Sequence, residues 1–235
     1  MKLDPTTCAK WHAENLRRAD EAHAQAGWQV AATAELDRGP CLQVERLRSS
    51  HPRGDFVRGA VPLSVSLDAA AERLLIDQDA HVSWDPTLDR FVLHDQLEVG
   101  GVTHRLLQIP VLTGAHPLVR NREFVYHEAI VRTDRAVTTV GGSRPAGSVS
   151  PFAGHRRAWL GLSHRQVATL DGGRVRYRAL WQTDLGGWLP RRAVTGGQVR
   201  AMLDEHRRFW SWWPDAAEQN GAPPAGRAAP HRRSI

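Results

Sequence analysis

The chain has 235 residues, 41% hydrophobic and 24% charged, with nine Trp against five Phe and two Tyr; that is enough apolar material for one sizeable core, and a single domain is the expectation at this length. The formal net charge is +6, but +2 of it falls in the stretch 218–235, where Arg227, Arg232 and Arg233 face Glu218; no dense basic stripe is left in the body, which argues against a nucleic-acid partner. Cys8 and Cys41 form no CxxC pair, no run of 18 apolar residues occurs and the charged N-terminus lacks an apolar signal core, so a cytoplasmic chain without a disulfide framework is expected.

Residues Pro5 to Gln25 are rich in Ala and charge, with Thr7 placed to cap and Trp11, Leu16, Ala19 and Ala22 forming a thin apolar stripe, which predicts a first helix. Three strands follow. Val30, Ala32, Ala34 and Leu36 alternate with polar neighbours, and the segments Cys41–Leu47 and Asp55–Val61 repeat the pattern between Gly39-Pro40 and His51-Pro52 breaks. Ser66-Leu67-Asp68 opens a helical run ending near Asp79. Six strands come next: Phe91–Val99, Thr103–Ile109, Glu123–Thr133, Ala136–Gly142, Arg156–Leu170 and Val175–Gln182, with Gly-Gly turns at 100–101 and 172–173. Short connections imply an antiparallel sheet.

The segment Gly142–Gly154 is too long for a tight hairpin and reads as a mobile loop. Arg165, Arg174, Arg176 and Arg178 read as one solvated face of two strands. After Pro190 the spacing of Val199, Met202, Leu203, His206, Phe209, Trp210 and Trp213 predicts a long amphipathic helix that stops at Pro214. Domain 1–216 then gives way to a disordered basic tail, 217–235, on composition. The order of elements predicts an α+β architecture, a curved antiparallel sheet wrapped around the last helix.

Four collinear stretches carry a family likeness. His81-Val82-Ser83-Trp84-Asp85-Pro86 ends the internal helix on Trp-Asp. Asn121-Arg122-Glu123-Phe124-Val125 is similar to a Pro-Arg-Asp-Phe-Val strand start, with Asn for Pro and Glu for Asp. Arg156–Trp159 begins a later strand, and Asp184-Leu185-Gly186-Gly187-Trp188-Leu189-Pro190 fits an Asp-x-x-Gly-Trp-[Leu/Ile]-Pro turn into the last helix. From about Trp28 to Trp213 the chain resembles the START (steroidogenic acute regulatory protein-related lipid transfer) domains. The resemblance implies a helix-grip fold with a hydrophobic tunnel, a lipid or sterol-like ligand, no cofactor, no catalysis, transient contact with a membrane and a monomer. It departs from the family in its short Ala-rich first helix and its long loop 110–119, so the ligand class is not carried over.

Steroid-carrying members of that family place an acidic and a basic side chain in the tunnel, the acidic one in a Thr-His-Glu-Leu stretch. Here the stretch is Thr103-His104-Arg105-Leu106, and the position soon after Phe124-Val125 is Glu128. The signs are exchanged. Strand alternation alone places Arg105 on one face with Thr103, Leu107 and Ile109, and Glu128 with Phe124, Tyr126 and Ile130. Two opposite charges on apolar faces are expected to pair bidentately, either as a structural salt bridge or as the group that reads a ligand's polar end. Trp84, Met202, Phe209 and Trp210 are the other expected lining residues, and Phe152, Trp212 and Trp213 the expected lid or membrane contact, with core packing the competing role for the aromatic stripe.

No HExxH, no Gly-x-Ser-x-Gly elbow and no His/Cys/Asp set at ligand spacing occurs among the twelve His, so no metal or catalytic residue is assigned. An enzymatic alternative is a polyketide aromatase/cyclase on the same fold, with Tyr126, Arg105 and His127 in the cavity.

Overall fold

The computed structural model describes residues 2–36, 40–50, 54–112, 121–144, 149–187 and 189–212. Helix α1 (Pro5–Ala24) is capped by Asp4, whose carboxylate accepts from the Thr7 N–H. Thr7 is therefore the donor in the first turn, not the expected cap. Strands β1 (Gln29–Glu35), β2 (Cys41–Leu47) and β3 (Phe56–Leu63) follow where alternation put them. The internal helical run is longer than expected. It opens as α2 (Leu67–Ala71) under the Ser66 side-chain cap and continues through a π-helical turn, Glu72–Ile76. It then breaks at Asp77 and restarts as α3 (Gln78–Trp84), because Asp77 itself caps the Asp79 and Ala80 N–H groups.

The remaining strands are β4 (Val92–Val99), β5 (Val102–Val111), β6 (Arg122–Arg132), β7 (Ala136–Ser143), β8 (Arg156–Arg157), β9 (Trp159–Thr169) and β10 (Val175–Asp184), and helix α4 (Arg191–Trp212) closes the described chain. The stretch expected as one strand from Arg156 is interrupted at Ala158, so that β8 runs parallel beside the start of β6 while β9 joins the sheet. The order along the sheet is β1-β2-β3-β10-β9-β7-β6-β5-β4, all antiparallel, with β8 off the path on β6.

The two faces of the sheet are covered differently. On the outer face α1 buries Ala19 and Ala22 against Ala129, Val140, Leu162 and Leu180; small residues let a charged, Ala-rich helix lie close. On the inner face α4 lays Met202 and Leu203 over Val57, Val61, Tyr177 and Ala179, with Leu74, Leu75 and Trp84 in the same cluster. Gly59 makes that approach possible, since a Cβ there would sit 3.2 Å from Met202 Sδ and 3.3 Å from His206 Nε2. The expected basic tail and Trp213 lie outside the described residues, as do the side chains of Phe209 and Trp212.

The first turn of α4 is fixed to β3 by one buried carboxylate. Asp55, 6% exposed, accepts from Thr195 Oγ1 at 3.0 Å, from Arg191 Nε at 3.1 Å and from the Ser49 N–H at 3.2 Å. Burial alone raises its pKa, but these bonds outweigh burial and hold it below the usual carboxylate range. Removing it strands a guanidinium. Asp55→Ala is expected to lower stability by about 2–4 kcal/mol in urea unfolding, with Asp55→Asn intermediate.

Candidate ligand cavity

Pairing register decides which side chains meet on the inner face. Arg105 lies directly opposite Glu128, Leu107 opposite Tyr126, Ile109 opposite Phe124 and Thr103 opposite Ile130. The expected grouping of these residues by alternation therefore holds. From Ile130 the row continues through Thr139 on β7 to Arg165 on β9 and Ala179 on β10. Arg165 thus points inward with Tyr177, whereas Arg176 and Arg178 lie on the outer face with His164. Reading the four arginines as one solvated face is corrected here: antiparallel pairing puts residue 165 on the opposite side from 176 and 178.

A cavity opens between this row and the internal helical run. Leu74, Leu75, Asp77, Gln78 and His81 form its cover, and Phe91, Tyr126, Glu128, Thr139 and Arg165 its sheet wall. It offers about 20 Å³ to the centre of a water molecule, room for one or two waters. A drug-sized ligand needs roughly 300–1,000 Å³, so this space as it stands has room for water and not for such a ligand.

The expected bidentate ion pair is not made. Arg105 turns its Nη1 to the Ile76 carbonyl at 3.0 Å, a free carbonyl at the end of the π-helical turn. Among the described residues the Glu128 carboxylate has no hydrogen bond or ion pair, and Arg105 Nε and Arg165 Nε are buried without a hydrogen-bond partner. Arg165 instead faces Glu205 of α4, with Nη2 to Oε1 at 4.0 Å, and its guanidinium stands 5.6 Å from the Trp181 ring centre. The Tyr177 hydroxyl donates to Glu205 at 3.0 Å.

Burial dominates the acid–base behaviour here. It pushes the Glu128 carboxyl from an ordinary 4.5 up to about 7, against the pull of Arg165 and then Arg105. Glu205 also rises to about 7 through burial, opposed by Arg165. Burial works against the Arg165 charge too, but Tyr177, Glu205, Tyr126 and Glu128 outweigh it and keep that side chain protonated. Tyr126 is held well above 10 by burial and by Glu128.

The other expected lining residues occupy several places. Leu107, Ile109 and Tyr126 share a cluster with Phe124 and Phe91. Thr103 bonds Glu98 at the strand end, and Met202 and Ile130 lie in the main cluster with Trp210 against it. Trp84 is 5% exposed and stacked on His81 at 4.4 Å, while Asp85 accepts from Arg208 at 2.6 Å. Phe152 is fastened: its N–H donates to the buried Glu123 carboxylate, which also takes Gln108 Nε2 and Arg157 Nε. Glu205, Tyr177, Thr139, His81 and Arg165 were missed as site residues. For Arg165 the signal was its pairing with Ala179 beside Tyr177.

His127 faces the other way. It lies under α1 with Trp11 stacked on its ring at 4.1 Å, and the Tyr126, Arg105 and His127 set of the enzymatic alternative is therefore split between two faces. Sequence spacing suggested no metal-ligating set, yet folding brings Cys8, His104 and His127 together on that outer face.

No family model matches the sequence, and no curated protein matches it. Solved structures do. Human StAR-related lipid transfer protein 5 superimposes with a TM-score of 0.76 at 17% identity, over 92% of this chain and 99% of that one. The lipid transfer and protein localization domain of human StarD13 gives 0.62 at 17% identity, over 86% and 96%. A StAR-related lipid transfer protein fragment from Xanthomonas axonopodis gives 0.58 at 18% identity, over 79% and 98%. The chain has the START helix-grip fold.

The raised Glu128 pKa sets a pH window. Between about 4.5 and 7 the folded chain holds a proton that the unfolded chain has released, so ionisation of this group weakens the fold progressively as pH rises through that range. Glu128→Gln is expected to gain roughly 1–3 kcal/mol on its parent at pH 8 and little at pH 4.5 in paired urea unfolding. An equal difference at both pH values counts against a buried, proton-holding carboxylate.

Proposed function

We propose that this START-fold chain binds one lipid or sterol-like hydrophobic molecule on the inner face of its sheet, under the internal helical run and with helix α4 closing the tunnel, and carries or senses it without chemical change. The observation that supports this most directly is the meeting of unsatisfied polar groups on an apolar wall. Among the described residues the Nε groups of Arg105 and Arg165 are buried without a hydrogen-bond partner, beside the Glu128 carboxyl, on the face that Leu107, Ile109, Phe124 and Tyr126 make apolar. Buried polar groups left unpaired cost about 1–3 kcal/mol each, so such a wall suits a ligand with an apolar body and one polar end.

A carboxyl that titrates near 7 can donate to or accept from a hydroxyl or carbonyl, and Arg165 beside it can only donate. Together they orient the ligand's polar end, with Arg105 supporting from the cover side. The lipid-transfer names of the neighbours and the shared fold point the same way. Phe152 with the 142–154 loop, and Trp212 and Trp213 near the end of α4, are the proposed lid and peripheral membrane contact of a cytoplasmic monomer; among the described residues no helix is long and apolar enough to cross a membrane.

Native mass spectrometry of freshly purified chain, followed by lipid extraction, tests the reading. An apolar molecule at near one-to-one occupancy is expected, and an empty protein that takes up nothing from liposomes overturns it. Arg105→Ala is expected to reduce retention several-fold, because it also frees the Ile76 end of the cover, whereas retention equal to the parent leaves Arg105 only structural.

A further inference from the structure

Helix α1 turns two potential ligands toward the outer face of the sheet, Cys8 and, one turn later, His12. Directly beneath, β5 supplies His104 and β6 supplies His127 as diagonal neighbours, since His104 pairs with Ala129 and His127 with Leu106. Cys8 is 0%, His104 1% and His127 0% exposed. One ligand atom from each lies within 4.8 Å of the other two, and His104 Nδ1 stands 3.0 Å from His127 Nε2. A tetrahedral zinc ion with Zn–N near 2.0 Å and Zn–S near 2.3 Å holds its ligand atoms roughly 3.3–3.6 Å apart. Small rotamer changes separate the two arrangements.

We propose that Cys8, His104 and His127 form a zinc site that clamps the start of α1 to the back of the sheet. His12 is the candidate fourth ligand: its ring lies 6.0 Å from that of His104, and its Nε2 is buried without a hydrogen-bond partner among the described residues. An unsatisfied buried imidazole nitrogen close to a buried thiol is what a borderline cation completes. A neutral imidazole offers its lone pair to a metal, and the Cys8 thiol passes its proton to solvent as the zinc–thiolate bond forms. Arg144 favours the thiolate, while Asp4, Asp95 and Glu98 supply negative charge toward the ion. Trp11 on the His127 ring fixes its orientation.

The site lies across the sheet from the cavity and does not rest on the lipid reading. Metal-free, reduced full-length chain is titrated with Co²⁺ and then Zn²⁺. The expected result is one equivalent of Co²⁺ with thiolate-to-cobalt charge-transfer absorption, bleached by Zn²⁺, and a thermal midpoint several degrees higher with Zn²⁺ in excess. Cys8→Ser and His104→Gln are expected to weaken Zn²⁺ binding at least tenfold, and Cys41→Ser to leave it unchanged. Absence of the charge-transfer band in the parent overturns the site without recourse to any variant. So does a band lost only with Cys41→Ser, or binding in folded Cys8→Ser equal to the parent.

Discussion

The Arg165 guanidinium sits where β7, β9 and β10 meet helix α4, and most of the inner face is arranged around it. A positive charge there is tolerable only with negative charge and aromatic surface at hand. Glu205 comes from α4 at 4.0 Å, Trp181 offers its ring, Tyr177 bonds Glu205 and Glu128 adds its field from β6. One cation thus couples the helix to three strands. Two carboxyls share it, and burial drives each to about 7, so near neutrality neither is fully ionised. The inner face therefore avoids an accumulation of buried negative charge that a single guanidinium could not offset.

The stretches that carry the family likeness turn out to be joints. Asp184 folds its turn by accepting from the Gly186 N–H at 2.8 Å, and Gly186 and Gly187 hold φ values of 69° and 85° that side chains resist. The Leu185 carbonyl exposed by that turn accepts from Arg122 Nε at 2.6 Å, so the second stretch locks onto the fourth. Glu123, next in line, is fully buried and gathers Arg157, Gln108 and the Phe152 N–H. Trp84 and Asp85 tie the end of α3 to its own ring stack and to α4. Residues of this kind fix strand ends and helix starts whatever the cavity holds, which is why they are informative about fold and silent about ligand.

Period and punctuation were enough to read nine of the ten strands, with β8 and β9 taken as one, both long helices and the inward set on β5 and β6, because those depend on neighbours within one strand. What escaped depends on pairing between strands. Arg165 was grouped with Arg176 and Arg178 since nothing within β9 shows that residue 165 stands opposite Ala179. The Arg105–Glu128 pair was sound in register but not in geometry: a helix-end carbonyl at Ile76 outcompeted a carboxylate that burial had already half neutralised. Cys8, His104 and His127 could not be seen as a set at all, being joined only when α1 folds back over β5 and β6.

The small cavity lies under a cover that few polar ties hold. The segment from Ile76 to Asp85 is held at one end by Arg105 from β5 and at the other by Arg208 from α4, with Leu74 and Leu75 wedged between. The first tie is a bond from a guanidinium to a backbone carbonyl, and the second is an ion pair to the buried Asp85 carboxylate. The strand ladder beneath it, by contrast, is continuous from β3 through β10 to β4. A π-helical turn already interrupts the regular bonding at 72–76, where a one-residue change of helical register would shift the whole cover. The cover over this cavity is therefore tied by fewer bonds than the sheet beneath it.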